Sequence, residues 1–184
     1  MRIIGGTVGG IRLASPPTDR TRPTGDRVRE ALFSMLGPLD GAVVVDAYAG
    51  SGALGLEALS RGAEGCYFFD TSREAIATIR ENTERTGFGD RAIVHRMTFR
   101  RGLDEIVDGT PDLWFLDPPY GGCLAREALE AMEGAVSKVT PGTLVVWESD
   151  RDESLPSLDL FEVTRTREYG RTRLAFFRRI EQQD

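Results

Sequence analysis

Cysteine, histidine and lysine are almost missing from this chain of 184 residues, and each shortage closes off a kind of chemistry. The two cysteines, Cys66 in an apolar run and Cys123 in a glycine-flanked loop, have no CxxC spacing. A single histidine, His95, cannot complete a ligand set for structural zinc. The cysteines therefore read as apolar filler or free thiols, and His95 as a half-buried strand residue rather than a catalytic base. No window approaches the roughly 20 apolar residues that cross a bilayer, and Met1 to Gly6 lack the apolar stretch of a signal peptide, so a soluble, cytoplasmic protein is expected. Lys138 is the sole lysine, so nearly every cation is a guanidinium, a planar group able to fork onto phosphate or stack on a base.

What remains is enough for one domain: an apolar content of 40% over this length buries a single sizeable core. A net charge of −6 argues against indiscriminate nucleic-acid binding, whose affinity comes largely from neutralised phosphates. The distribution is uneven. Arg2, Arg12, Arg20, Arg22, Arg27 and Arg29 crowd the first 30 residues, and Arg165, Arg167, Arg171, Arg173, Arg178 and Arg179 the tail, while acids concentrate between them.

Along the chain, Ala42-Val43-Val44-Val45-Asp46 reads as a strand, followed by the turn Ala47 to Gly52 and a helix through Leu54, Leu56 and Leu59 to Gly62. Cys66 to Asp70 reads as a second strand. Thr71-Ser72-Arg73-Glu74 has the pattern of a capping box opening a helix that Gly87 stops. Ala92 to His95, Leu113 to Leu116 and Thr143 to Glu148 supply three more strands, apolar on both faces, the signature of a parallel sheet covered on two sides. The pattern then changes. Asp159 to Thr166 and Arg171 to Arg178 read as an antiparallel hairpin turned at Tyr169-Gly170, on the sheet's edge.

Two segments carry chemistry. Gly50-Ser51-Gly52-Ala53-Leu54-Gly55 matches G-x-G-x-x-G between a strand and a helix, with glycines for a sharp turn and unpaired helical N–H groups facing a ligand. Asp70, at the next strand's end, is placed to accept hydrogen bonds from a ribose diol. A nicotinamide dehydrogenase uses the same devices, but Asp46 beside the loop would repel a pyrophosphate and attract the ammonium and sulfonium of S-adenosylmethionine. The second segment, Asp117-Pro118-Pro119-Tyr120, ends an apolar strand with a carboxylate, a carbonyl held out by prolines and an aromatic ring. That set suits a planar group bearing an exocyclic amine. Consecutive prolines are also an ordinary way to end a strand.

Together, the segment from Asp46 to Gly55 and the Asp117 to Tyr120 motif resemble a class I S-adenosylmethionine-dependent amino-methyltransferase. Arg2-Ile3-Ile4-Gly5-Gly6, then Arg22-Pro23-Thr24 and Asp26 to Phe33, resemble more narrowly the bacterial family that methylates a guanine N2 in small-subunit ribosomal RNA, over nearly the whole chain. The resemblance implies an α/β fold with a seven-stranded Rossmann-like sheet in the order 3-2-1-4-5-7-6, strand 7 antiparallel. Residues 1–36 would form an N-terminal hairpin and helix, an RNA-contacting arm, and residues 37–184 the methyltransferase domain. Asp46, Tyr48, Ala49, Gly50, Gly52 and Gly55 would face the methionine moiety and Asp70 the ribose. Asp117, the Pro118 carbonyl and Tyr120 would hold the target base.

One departure stands out. The family tends to carry Asp or Asn past the third strand for the adenine amine, whereas Met97 falls there; a thioether is a poor acceptor, which leaves backbone groups or Thr98. Arg2, Arg12, Arg22, Arg27 and Arg29 are the candidate RNA contacts, although Arg22, Arg27 and Arg29 also fit a solvated helix face opposite Val28, Leu32, Met35 and Leu36. The expected partner is small-subunit ribosomal RNA within an assembling or assembled subunit, bound by a monomer with no membrane contact and no metal. A DNA base or a glutamine side chain as acceptor is disfavoured by Asp117 and the N-terminal arginine motif. A non-catalytic assembly factor has only Met97 in its favour.

Overall fold

The computed structural model describes residues 1–17, 25–105, 110–118, 123–135 and 137–181. Pro119, Tyr120, Arg20, Arg22, Pro23 and Thr24 lie outside them. Helix α1 (Asp26–Leu36) precedes strand β1 (Val43–Asp46), helix α2 (Ala53–Ser60), strand β2 (Gly65–Asp70), helix α3 (Arg73–Thr86), strand β3 (Ala92–Arg96) and helix α4 (Phe99–Glu105). Strand β4 (Leu113–Leu116), helix α5 (Leu124–Gly134), strand β5 (Leu144–Asp150) and the hairpin of β6 (Phe161–Tyr169) and β7 (Thr172–Arg179) complete the chain.

The seven strands form one sheet in the order β3-β2-β1-β4-β5-β7-β6, with β1 to β5 parallel and β7 antiparallel to both neighbours. This is the topology the resemblance implies. Alternate strand residues point to opposite faces, and both faces are covered. Val44, Phe68, Leu113 and Phe115 pack with Leu32, Phe33, Leu56 and Ile79 on one side, and Val45, Phe69, Trp114 and Leu116 with Phe99, Leu103, Leu129 and Met132 on the other. All four residues of β4 are buried, which is why that stretch is continuously apolar.

The N-terminal segment is part of this packing. Ile3 and Leu13 belong to the same buried cluster as β1 and α2. Its expected hairpin reduces to one isolated antiparallel bridge between Arg2 and Arg12, with Ile3 N–H donating to the Ile11 carbonyl at 2.9 Å. Several of the segment's other backbone groups bond to side chains of the helices beneath it, while Gly10 and Leu13 N–H groups donate within the segment to the Ile3 and Met1 carbonyls. Glu57, fully buried on α2, accepts from the N–H groups of Ile4 (2.6 Å) and Gly5 (2.9 Å) and from Arg61 Nε (2.7 Å). Gly6 has φ of 77°, and a Cβ there would stand 1.9 Å from the Ser60 carbonyl oxygen, so only glycine permits this close approach.

Three sequence expectations need correction. The cap of α3 is Ser72, not Thr71: Ser72 Oγ accepts from Ala75 N–H at 3.1 Å, and Glu74 turns to the Ser72 hydroxyl instead of closing a box. His95 is exposed, because β3 is an edge strand. Arg29 is buried, 1% exposed, so it belongs to neither an RNA surface nor a solvated helix face. Its Nη2 donates to the Arg2 carbonyl (2.6 Å) and to Asp26 Oδ1 (3.0 Å), tying α1 to the arm. Burial pulls the Arg29 pKa below the usual guanidinium value, and Asp26 opposes that shift.

Candidate active site

The sheet order puts β1 between β2 and β4, so the loops leaving these three strands meet at one end. Asp46 lies in register with Phe68 on one side and Phe115 on the other. Beyond the strand the backbone stays stitched to both neighbours, with Ala47 N–H donating to the Phe115 carbonyl and Ala49 N–H to the Phe69 carbonyl, each at 3.0 Å. Asp117 therefore starts two residues past a direct partner of Asp46. Asp117 is half-buried and Pro118 buried.

The glycine loop is held from several directions. Gly50 and Gly52 have φ of 55° and 78°, left-handed values that disfavour any side chain. Gly50 N–H donates to Asp70 Oδ2 at 2.9 Å, and the other Asp70 oxygen accepts from Ser72 N–H at 2.8 Å. Asp70 thus fixes the first glycine while remaining half-buried at the rim. Gly55 serves packing: a Cβ there would come within 2.3 Å of the Phe68 ring and 2.5 Å of Cys66 Sγ, so its absence lets α2 lie against β2.

Asp46 is 2% exposed and accepts from Gly55 N–H at 3.0 Å. Burial drives its pKa up to about 7; the Gly55 hydrogen bond opposes this and the neighbouring Asp70 adds to it. Burial and the nearby Asp46 raise the Cys66 thiol well above its ordinary value, which leaves Cys66 a neutral apolar filler. Tyr48 follows on the loop, its ring stacked on Phe99 at 6.3 Å between centroids and its hydroxyl donating to the Leu124 carbonyl at 3.2 Å. Burial first, then Glu127, pushes the phenol up to about 12, so it remains a donor.

Past β3, Met97 N–H donates to the Asp70 carbonyl at 3.0 Å, and its side chain packs against the cluster containing Phe99. Thr98 is exposed, and its hydroxyl accepts from Arg101 N–H at 3.3 Å, capping α4. Met97 and Thr98 thus stand beside Asp70, on the cleft side away from Asp117. Arg2, Arg12 and Arg27 are exposed, with Arg2 Nε 3.4 Å from Asp26. Among the described residues there is no cluster of His, Cys, Asp or Glu that holds a metal, and no helix long and apolar enough to cross a membrane.

The donor set fits S-adenosylmethionine. A buried carboxylate with a single described hydrogen bond, beside a glycine turn and without a phosphate-pairing cation on the loop, matches a cationic ligand better than a pyrophosphate. The sequence reading did not single out Glu57 or Asn82. Their signals were present: a lone carboxylate in the apolar helix Ala53–Ser60, and an asparagine, a weak helix former, in mid-helix.

A parallel sheet closed by an antiparallel β7 between β5 and β6, with a glycine turn after β1 and a carboxylate after β4, defines the class I methyltransferase fold. Solved structures agree. The chain superposes on yhhF from Escherichia coli with a TM-score of 0.83 at 33% identity, covering 99% of both chains. It superposes on the Thermus protein TTHA0928 at 0.78 and 32% identity, covering 96% of this chain and 98% of that one. Residues 1–178 match the family described as "Conserved hypothetical protein 95", and the chain belongs to that family. YlbH of Bacillus subtilis is 36% identical over 97% of this chain and 99% of its own. Ribosomal RNA small subunit methyltransferase D of Escherichia coli K12 is 36% identical over 86% of this chain and 79% of its own.

Proposed function

We propose that this protein transfers a methyl group from S-adenosylmethionine to the exocyclic N2 of a guanine in small-subunit ribosomal RNA. The observation that carries the reading is the adjacency of β1 and β4, which brings Asp46 and its glycine loop beside Asp117 and Pro118. The similarity to ribosomal RNA small subunit methyltransferase D supports the ribosomal substrate.

When bound, S-adenosylmethionine would supply an electrophilic methyl whose bond to the sulfonium breaks as the bond to nitrogen forms, the sulfur leaving as a neutral thioether, with no metal or covalent enzyme intermediate needed. Asp46, Tyr48, Ala49, Gly50 and Gly52 would hold its methionine end, with Gly55 supporting them through its bond to Asp46, while Asp70 would hold its ribose and Met97 and Thr98 would border its adenine. Asp117 and the Pro118 carbonyl accept hydrogen bonds from the guanine amine. An exocyclic amine is a poor nucleophile because its lone pair is delocalised into the ring, and acceptors on its protons favour a more pyramidal nitrogen and fix its distance. Positioning then supplies most of the rate. Asp117 need not be a strong base, because the methylated amine loses its proton readily. Tyr120 stacks on the base, worth about 1–3 kcal/mol by the scale of other stacked bases. The nucleotide leaves its helix or loop to enter, and exposed Arg2, Arg12 and Arg27, with Arg22, position phosphates.

The test is to incubate the protein with tritiated donor and small subunits from a strain lacking the gene, then map the labelled nucleotide. Label on a single guanine N2 is expected. Label in DNA, or none in either nucleic acid, contradicts the proposal.

A further inference from the structure

Asn82 sits in the middle of α3, fully buried, and no part of the chemistry above uses it. Its carboxamide bonds three backbone groups from two distant segments, with both amino hydrogens used. Nδ2 donates to the Ser51 carbonyl at 2.9 Å and to the Ala14 carbonyl at 3.0 Å, and Oδ1 accepts from Ala14 N–H at 2.8 Å. Ser51 is the central residue of the glycine turn, flanked by the two left-handed glycines. Ala14 is near the end of the N-terminal arm, from which the chain runs on toward α1.

We infer that Asn82 is a positioning residue that locks the Ser51–Gly52 peptide of the donor loop and ties it to the N-terminal arm. This rests on the proposed function for its meaning but not for its geometry. A turn between two glycines is the kind of backbone in which a peptide plane rotates at little steric cost. Here that plane is pinned at both ends: Asn82 takes the Ser51 carbonyl, and the following Gly52 N–H donates to the Ala49 carbonyl at 2.6 Å. The pair of bonds to Ala14 also fixes which way the carboxamide faces, so its amino group stays on the Ser51 side. The arm thereby sets the orientation of the group that holds the loop. An arm displaced by RNA and a loop occupied by donor share this one side chain, which is a physical route for each to bias the other.

The test uses the full chain and two variants. Asn82→Ala removes all three bonds, and Ala14→Pro removes the arm's N–H and stiffens the arm locally while leaving α3 untouched. Backbone hydrogen exchange without ligand should show residues 50–53 losing about tenfold protection in Asn82→Ala, and less in Ala14→Pro, the scale of one buried acceptor left unpaired. Titration calorimetry with S-adenosylmethionine should show Kd rising by a similar factor, and the kinetic effect should fall on donor KM more than on kcat. Unchanged exchange at residues 50–53 in both variants overturns the lock. Exchange and Kd moved by Asn82→Ala but not by Ala14→Pro overturn the tie to the arm. Absence of donor binding by the unmodified protein contradicts the proposed function, while exchange still judges the lock.

Discussion

Asp46 is a carboxylate in an apolar sheet, hydrogen-bonded to Gly55 N–H and raised by burial to a pKa of about 7. Its folded value lies above the ordinary 3.8, so folding favours its neutral form. The associated stability is fully present below the unfolded pKa and is lost as pH rises toward about 7. Asp46→Asn should therefore be more stable than the parent at pH 8 by at least about 1 kcal/mol in denaturant titrations, with the difference gone near pH 4. The same substitution should weaken S-adenosylmethionine binding, and in the parent the affinity should rise with pH through about 7 as Asp46 ionises. Affinity flat across that window would remove Asp46 from the donor site. Asp117 carries the complementary task. Asp117→Ala should cut methyl transfer by about 100-fold or more while leaving donor Kd within about threefold; equal loss of both would refute the division of labour.

At the scale of elements, β1, β2, β4 and β5 were legible because strands buried within the sheet are apolar runs, the edge strand β3 by its short β-branched stretch Ile93-Val94, and the edge hairpin by its turn glycine between two strand-like segments. The cap of α3 was read one residue early, since Thr71 and Ser72 are both competent caps and only the backbone decides. Arg29 was misassigned for a similar reason. Its neighbours alternate charge as a surface helix does, and nothing local shows that the arm folds over it and offers the Arg2 carbonyl. The glycine turn was legible in the sequence, but Glu57 and Asn82 were not, because they hold backbone groups 31 to 68 residues away. Close packing gives its own test: Gly55→Ala forces a methyl into the Phe68 ring and should cost about 1–3 kcal/mol in thermal or chemical unfolding.

The whole molecule combines an acidic body, net −6, with an arginine-bearing arm bound tightly to it. Such a surface neutralises few phosphates, so binding to free RNA should be weak and a structured ribonucleoprotein preferred. Exposed Arg12 and Arg27 should behave as phosphate contacts: replacing either by Ala should lower affinity for small subunits and flatten the salt dependence by about one unit of slope. Arg29→Ala should instead lower the unfolding temperature and leave the slope alone, because the side chain is buried and bonds Asp26 and the Arg2 carbonyl inside the protein. Catalysis as proposed needs the carboxyl ends of β1 and β4 to form one cleft, with a methyl donor on the first and an amine on the second. A crystal structure with S-adenosylmethionine bound tests it most directly. The methionine end should lie against Asp46 and the glycine loop, with the methyl directed at the Asp117 side; a donor lodged away from β1, or a methyl turned from Asp117, would overturn this arrangement.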